Sequence, residues 1–92
     1  MVYQCTGVKG PFSYRDKSTG DSKEAVIFFG FRNPTSRDGD VVGYIAESVF
    51  IGERNLSLIP AGKFEPKKYY NFEYASDGHY SYLDKITLVD KF

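Results

Sequence analysis

The alternation of apolar and polar positions divides the chain into five strand-like runs separated by glycine, proline and polar turns. Met1 to Val8 alternates loosely, with Tyr3, Cys5 and Gly7 set against Val2, Gln4 and Thr6. Gly7, Gly10 and Pro11 interrupt this run; glycines inside a strand mark bulges or bends that let a sheet curl. Phe12-Ser13-Tyr14 resumes the strand, and Asp16 to Ser22 reads as a polar hairpin tip. Glu24 to Arg32 (EAVIFFGFR) is the strongest run and is apolar at both parities. A strand of this kind is buried on both sides, or lined by a ligand on one of them.

Residues 33–40 (NPTSRDGD) read as a loop, and Val41 to Ile51 as a third strand with a bulge at Gly43. The stretch 52–67 is the least regular: a short helical candidate within 53–59 is ended by Pro60. Tyr69 to Tyr74 alternates cleanly, placing Tyr70, Phe72 and Tyr74 on one face. Asp77-Gly78 is a hairpin signal, and Tyr80 to Val89 forms the last strand. Leu83, Ile86 and Leu88 break its alternation, which places a bulge near Asp84-Lys85.

These elements predict an all-β chain with one domain over 1–92. A hairpin, a third strand, an irregular spacer and a final hairpin make up a five-stranded, partly open antiparallel barrel of the OB type. An SH3-like barrel is the alternative, because counting strands does not settle which of them pair. Eight Tyr and eight Phe with no Trp agree with a strand-rich chain, since rings fit a pleated, half-buried surface. The single cysteine, Cys5, argues for a reducing compartment, so a cytoplasmic location is expected. No signal-peptide pattern opens the chain, and no apolar stretch approaches the 18 or so residues of a membrane span, so no membrane partner is expected.

Little in the sequence supports catalysis. His79, the one histidine, lies in a turn beside Asp77 with no nucleophile tied to it, and is expected to be exposed. Cys5 and His79 do not make a metal cluster, and Cys5 is expected in the core as a small hydrophobe. Gly7-Val8-Lys9-Gly10 lacks the spacing of a phosphate-binding loop. The expectation is a protein without catalytic residues, metal or cofactor.

Charge and rings point elsewhere. The net charge is zero, yet residues 1–37 carry +3, 38–59 carry −3, 60–68 carry +2 and 69–92 carry −2. Such blocks place a positive groove on a neutral molecule, or simply mark a mixed solvated surface. Phe28, Phe29, Phe31, Phe50, Tyr70 and Phe72 lie in the strongest strand patterns and are mostly assigned to the core. Phe12, Tyr14, Tyr44, Tyr80 and Tyr82 sit among polar residues and glycines and are expected to be partly exposed. Exposed rings beside cations are what single-strand binders use, the rings stacking on bases while the cations track phosphates. The same tyrosines also serve as cross-strand pairs in ordinary sheets.

The first hairpin, with Gly-Val-Lys-Gly-Pro-Phe-Ser-Tyr over 7–14 ahead of a polar tip, resembles the gene V-type single-stranded DNA-binding proteins of filamentous phages. Phe64 to Phe72 followed by Tyr82 to Val89 is similar to the closing strands of that family. The resemblance implies an OB-fold homodimer that coats single strands through a basic, aromatic-bearing hairpin. It assigns DNA contacts to Lys9, Phe12, Tyr14, Arg15 and Lys17. Lys23 and Arg32, the nearby cations of the same charge block, join them as candidates. Residues 33–60 have no counterpart in the family pattern. The function implied is non-catalytic binding of single-stranded DNA, or RNA, in the replication of a phage or mobile element. A β-barrel that docks on or inhibits a host protein is the other reading.

Overall fold

In the computed structural model, which describes residues 1–92, five strands form a single antiparallel sheet. They are β1 (Val2–Arg15), β2 (Ser22–Arg32), β3 (Ile45–Ile51), β4 (Tyr69–Ser76) and β5 (Ser81–Val89). The order across the sheet is β3-β2-β1-β4-β5. With β1 central and paired to both β2 and β4, this is the connectivity of an OB-type barrel left open between β3 and β5. An SH3-like barrel would run its middle strands as a meander; here β3 and β4 do not pair.

The first two runs of the sequence fuse into one long β1, because its breaks are bulges rather than ends. Register shifts fall between Cys5 and Gly7 and between Lys9 and Phe12. Each adds one residue to β1 against β2 and turns the following side chains to the other face. A third shift, opposite the step from Glu73 to Tyr74, leaves Asp84 as the extra residue, where the sequence placed a bulge. β3 is shorter than expected: Gly43 takes a φ of 94°, and the chain joins the ladder only at Ile45. The helical candidate is a 3-10 turn over Glu53–Leu58, followed by another at Pro60–Gly62.

The inner face of the curled sheet holds the core. Phe28, Ile51, Tyr70, Phe72 and Cys5 are almost wholly buried. Phe28 is the hub, with Tyr3, Phe64, Tyr70 and Phe72 all within 6.0 Å of it between ring centroids. The Tyr70 hydroxyl accepts a hydrogen bond from the Glu65 N–H at 2.8 Å, so this buried ring keeps its polar tip satisfied. The connector supplies Leu56, Leu58, Ile59 and Phe64 to the core, and its 53–58 turn touches both β2 and β5. It thereby covers part of the gap that the sheet leaves open.

At the far end of the inner face Arg32 is buried. Its guanidinium donates to Asp38 Oδ2 and Oδ1 at 2.8 and 3.0 Å, and from Nε to Glu47 Oε1 at 2.8 Å. Tyr3 donates its hydroxyl proton to Glu47 Oε2 at 2.7 Å. The guanidinium holds the Asp38 and Glu47 carboxyls below their usual range, so the cluster is ionised, one cation shared by two carboxylates with a net charge of −1. No helix is long and apolar enough to cross a membrane.

Candidate nucleic-acid interface

The outer face of β1, β2 and β3 carries uncovered rings, Phe29 and Phe50 among them. Along β2 the side chains of Ile27, Phe29 and Phe31 point outward while Val26 and Phe28 point into the core. Phe29 lies between Gly7 on β1 and Ser48 on β3. Neither neighbour is large enough to cover it, and Phe29 is 39% exposed. A shallow groove of about 320 Å³ runs beside it, lined by Thr6, Phe29, Gly30, Ala46, Glu47 and Ser48. The run is therefore not buried on both sides: its outward residues Ile27, Phe29 and Phe31 are only partly covered.

Aromatic clusters flank this row at both ends. At the hairpin end, Tyr14 meets Phe50 edge-on with centroids 5.7 Å apart, and Phe50 is 55% exposed. Lys9 sits over the Phe12 ring, its Nζ 5.5 Å from the centroid. At the other end Phe31, Tyr44, Tyr69 and Phe92 form a chain of contacts, with Tyr44 and Phe92 stacked at 5.4 Å. Lys67, Lys68 and Lys91 are exposed close by in sequence to Tyr69 and Phe92.

The hairpin face depends on the second bulge. Residues 9, 12 and 14 do not share a parity, so an unbroken strand would put Lys9 opposite Phe12 and Tyr14. In the observed register Lys9 opposes Ile27, Phe12 opposes Ala25 and Tyr14 opposes Lys23, all on the outer face. The shift between Lys9 and Phe12 therefore assembles cation and rings on one side. The tip beyond them is closed by Asp16, whose Oδ1 accepts from the Ser18 N–H at 2.8 Å and the Ser18 hydroxyl at 2.6 Å.

The seven candidate contacts separate by environment. Lys9, Arg15 and Lys17 are exposed and form no ion pair within the protein. Phe12 and Tyr14 are half-buried on the outer face. Lys23 is engaged with Asp16 at 2.9 Å, an ion pair that raises its affinity for the proton and offsets its charge. Arg32 departs from the expectation: it is buried on the inner face, and two carboxylates hold it there, so it presents no charge to a strand.

The sequence also misplaced several rings. Phe29 and Phe50, assigned to the core, lie on the outer face, and Phe31 is only half covered. The signal was available in EAVIFFGFR: a small chain with one sheet has no second layer to cover an apolar outer row. Cys5 is in the core as expected, and burial pushes its thiol pKa up. His79 is exposed in its turn; Asp77 uses Oδ1 to accept the backbone N–H groups of His79 and Tyr80, both at 2.9 Å. No family model, curated protein or solved structure matches this chain.

Proposed function

We propose that this protein binds single-stranded nucleic acid, DNA in the first instance, on the outer face of β1–β2–β3 and catalyses no reaction. The observation that carries the reading is the uncovered apolar row of β2, with Phe29 open between Gly7 and Ser48. Leaving that much apolar surface in water costs stability unless a ligand covers it. The flanking chemistry suits a strand: rings at both ends for stacking, and Lys9, Arg15 and Lys17 free to meet phosphates. The OB-type connectivity supports the same face, because such barrels take oligonucleotides across strands 2 and 3. The resemblance to gene V-type proteins agrees with it and implies a homodimer. The unpaired outer edge of β3 is available for self-association.

A fluorescence-anisotropy titration with labelled dT and rU oligonucleotides tests the proposal. Affinity should be strongest at low salt and decline linearly on a log–log plot as salt rises. A folded protein with no salt-dependent affinity for either polymer overturns it. Docking on a host protein would then take its place, a reading favoured by the absence of cations from the middle of the row, Phe29, Ala46 and Ser48.

A further inference from the structure

The largest cavity in the molecule is not on the proposed binding face. It encloses about 440 Å³ between the 53–58 turn and the β4–β5 hairpin, lined by Arg54, Asn55, Asp77, Tyr80, Tyr82 and Leu83. This volume falls in the range of small-molecule sites. Its composition also fits one: two tyrosine rings and a leucine supply apolar surface, and three polar side chains supply direction. Tyr80 and Tyr82 are 74% and 49% exposed, and neither is used by the core.

The polar groups are complementary in kind. Asp77 spends Oδ1 on the backbone of its own turn, while its Oδ2 takes part in no hydrogen bond. The turn N–H groups hold its carboxyl below the usual range, so it is an anionic acceptor at neutral pH. Arg54 offers only donors and forms no ion pair within the protein. Asn55 offers both a donor and an acceptor. A planar ring that satisfies this set needs adjacent donors that converge on the one free carboxylate oxygen from one edge, and adjacent acceptors for a guanidinium on another. Guanine has both, with N1–H and the exocyclic amine on one edge and O6 with N7 on the other. Adenine, cytosine and uracil each lack the paired donors.

We propose that this cavity binds a guanine ring, stacked on Tyr80 or Tyr82, with Asp77 Oδ2 accepting from both its N1–H and its amine and Arg54 donating to O6 and N7. In its strand-bound form this deepens the proposed function and rests on it: a guanine in a bound single strand would turn into the cavity and set base preference. A free guanine nucleotide presents the same ring.

Two titrations separate these sources and keep the site independent of the binding face. In the first, 5′-GMP, AMP, CMP and UMP are added to the ¹⁵N-labelled protein. Shifts confined to residues 53–55 and 76–83 with GMP, and at least roughly fivefold weaker with the others, are expected for a stacked, hydrogen-bonded base. Equal responses to all four nucleotides, or none, overturn the proposal. In the second, a dT oligonucleotide is compared with one carrying a single dG. Tighter binding of the dG strand, lost in Asp77→Asn and Tyr80→Ala while dT binding persists, identifies the strand as the source. Asp77→Asn keeps the acceptor Oδ1 that closes the turn, so the hairpin should remain folded. GMP binding without a dG gain identifies the free nucleotide. Failure of dT binding alongside a GMP response removes the strand reading and leaves the guanine site standing.

Discussion

Tyr14 on β1 meets Phe50 on β3 edge-on, with ring centroids 5.7 Å apart and planes at 73°, although β2 lies between their strands. The two rings bridge over β2 on the outer face and make a platform close to Lys9 and Phe12. Such edge-to-face pairs contribute about 0.5–1.5 kcal/mol beyond area burial. Half-exposed rings held in this way are pre-oriented for stacking, because little side-chain freedom remains to be lost.

Replacing Tyr14 or Phe50 with Ala should therefore weaken single-strand binding by about 1–3 kcal/mol each. The double variant should lose less than the sum, since each ring positions the other. The salt dependence of affinity should stay nearly constant in all three proteins. Anisotropy titrations at several salt concentrations measure both quantities. A changed slope with unchanged affinity would remove the rings from the interface.

The cations should behave in the opposite way. Lys9→Ala, Arg15→Ala and Lys17→Ala should each flatten the log–log salt slope by roughly 0.7, with losses similar for every sequence. Lys23→Ala should do less, because Asp16 already engages that charge. Arg32→Ala should leave the slope unchanged and lower the thermal midpoint by more than any of the four, because it strands Asp38 and Glu47. Parallel melting curves and salt titrations separate a phosphate contact from a structural charge.

Stability should fall at both extremes of pH. Asp38 and Glu47 have folded-state pKa values depressed by Arg32. Their contribution is fully present above the unfolded carboxylate values of about 4 and is lost as pH falls below them. Burial raises the pKa of Tyr3 and Tyr70 instead. Their contribution is present below the unfolded tyrosine value of about 10 and is lost as pH rises past it. Urea midpoints between pH 3 and 11 should trace this dome. Glu47→Gln should lower it at neutral pH and flatten its acid limb; an unaltered acid limb would mean the cluster is not ionised in the folded protein.

Two glycines of the binding face should respond differently to alanine. A Cβ on Gly30 would lie 2.7 Å from Phe28 Cε1 and 2.8 Å from the Gln4 carbonyl oxygen. Phe28 is fully buried and cannot move aside, so Gly30→Ala should cost about 1–3 kcal/mol. A Cβ on Gly7 meets nothing within 4 Å. Gly7→Ala should stay within about 0.5 kcal/mol of the parent while narrowing the space beside Phe29. Denaturant unfolding of the two variants, compared with their dT affinity, tests whether that space is used.

Much of the architecture follows from local pattern alone. The all-β class, the positions of β2, β4 and β5, the irregular connector and the bulge at Asp84 all arise from alternation and turn chemistry, which depend only on neighbours in the chain. The burial of Cys5, Phe28, Tyr70 and Phe72 is legible for the same reason. Three matters are decided only by tertiary structure. Pairing of β1 with β4 is a contact between residues about 67 positions apart, which strand counting does not specify. The union of Lys9 with Phe12 and Tyr14 on one face depends on a register shift, and a shift of one residue reverses every later side chain. The division of the rings of EAVIFFGFR into core and surface depends on what lies above each face. Beside Phe29 the outer one offers only Gly7 and Ser48, so Phe29 faces solvent while Phe28, one residue away, is at the centre of the core. Arg32 shows the same limit for charge: its sequence neighbours mark it as one more cation of a basic block, and only the approach of Asp38 and Glu47 lets that charge stay buried on the inner face.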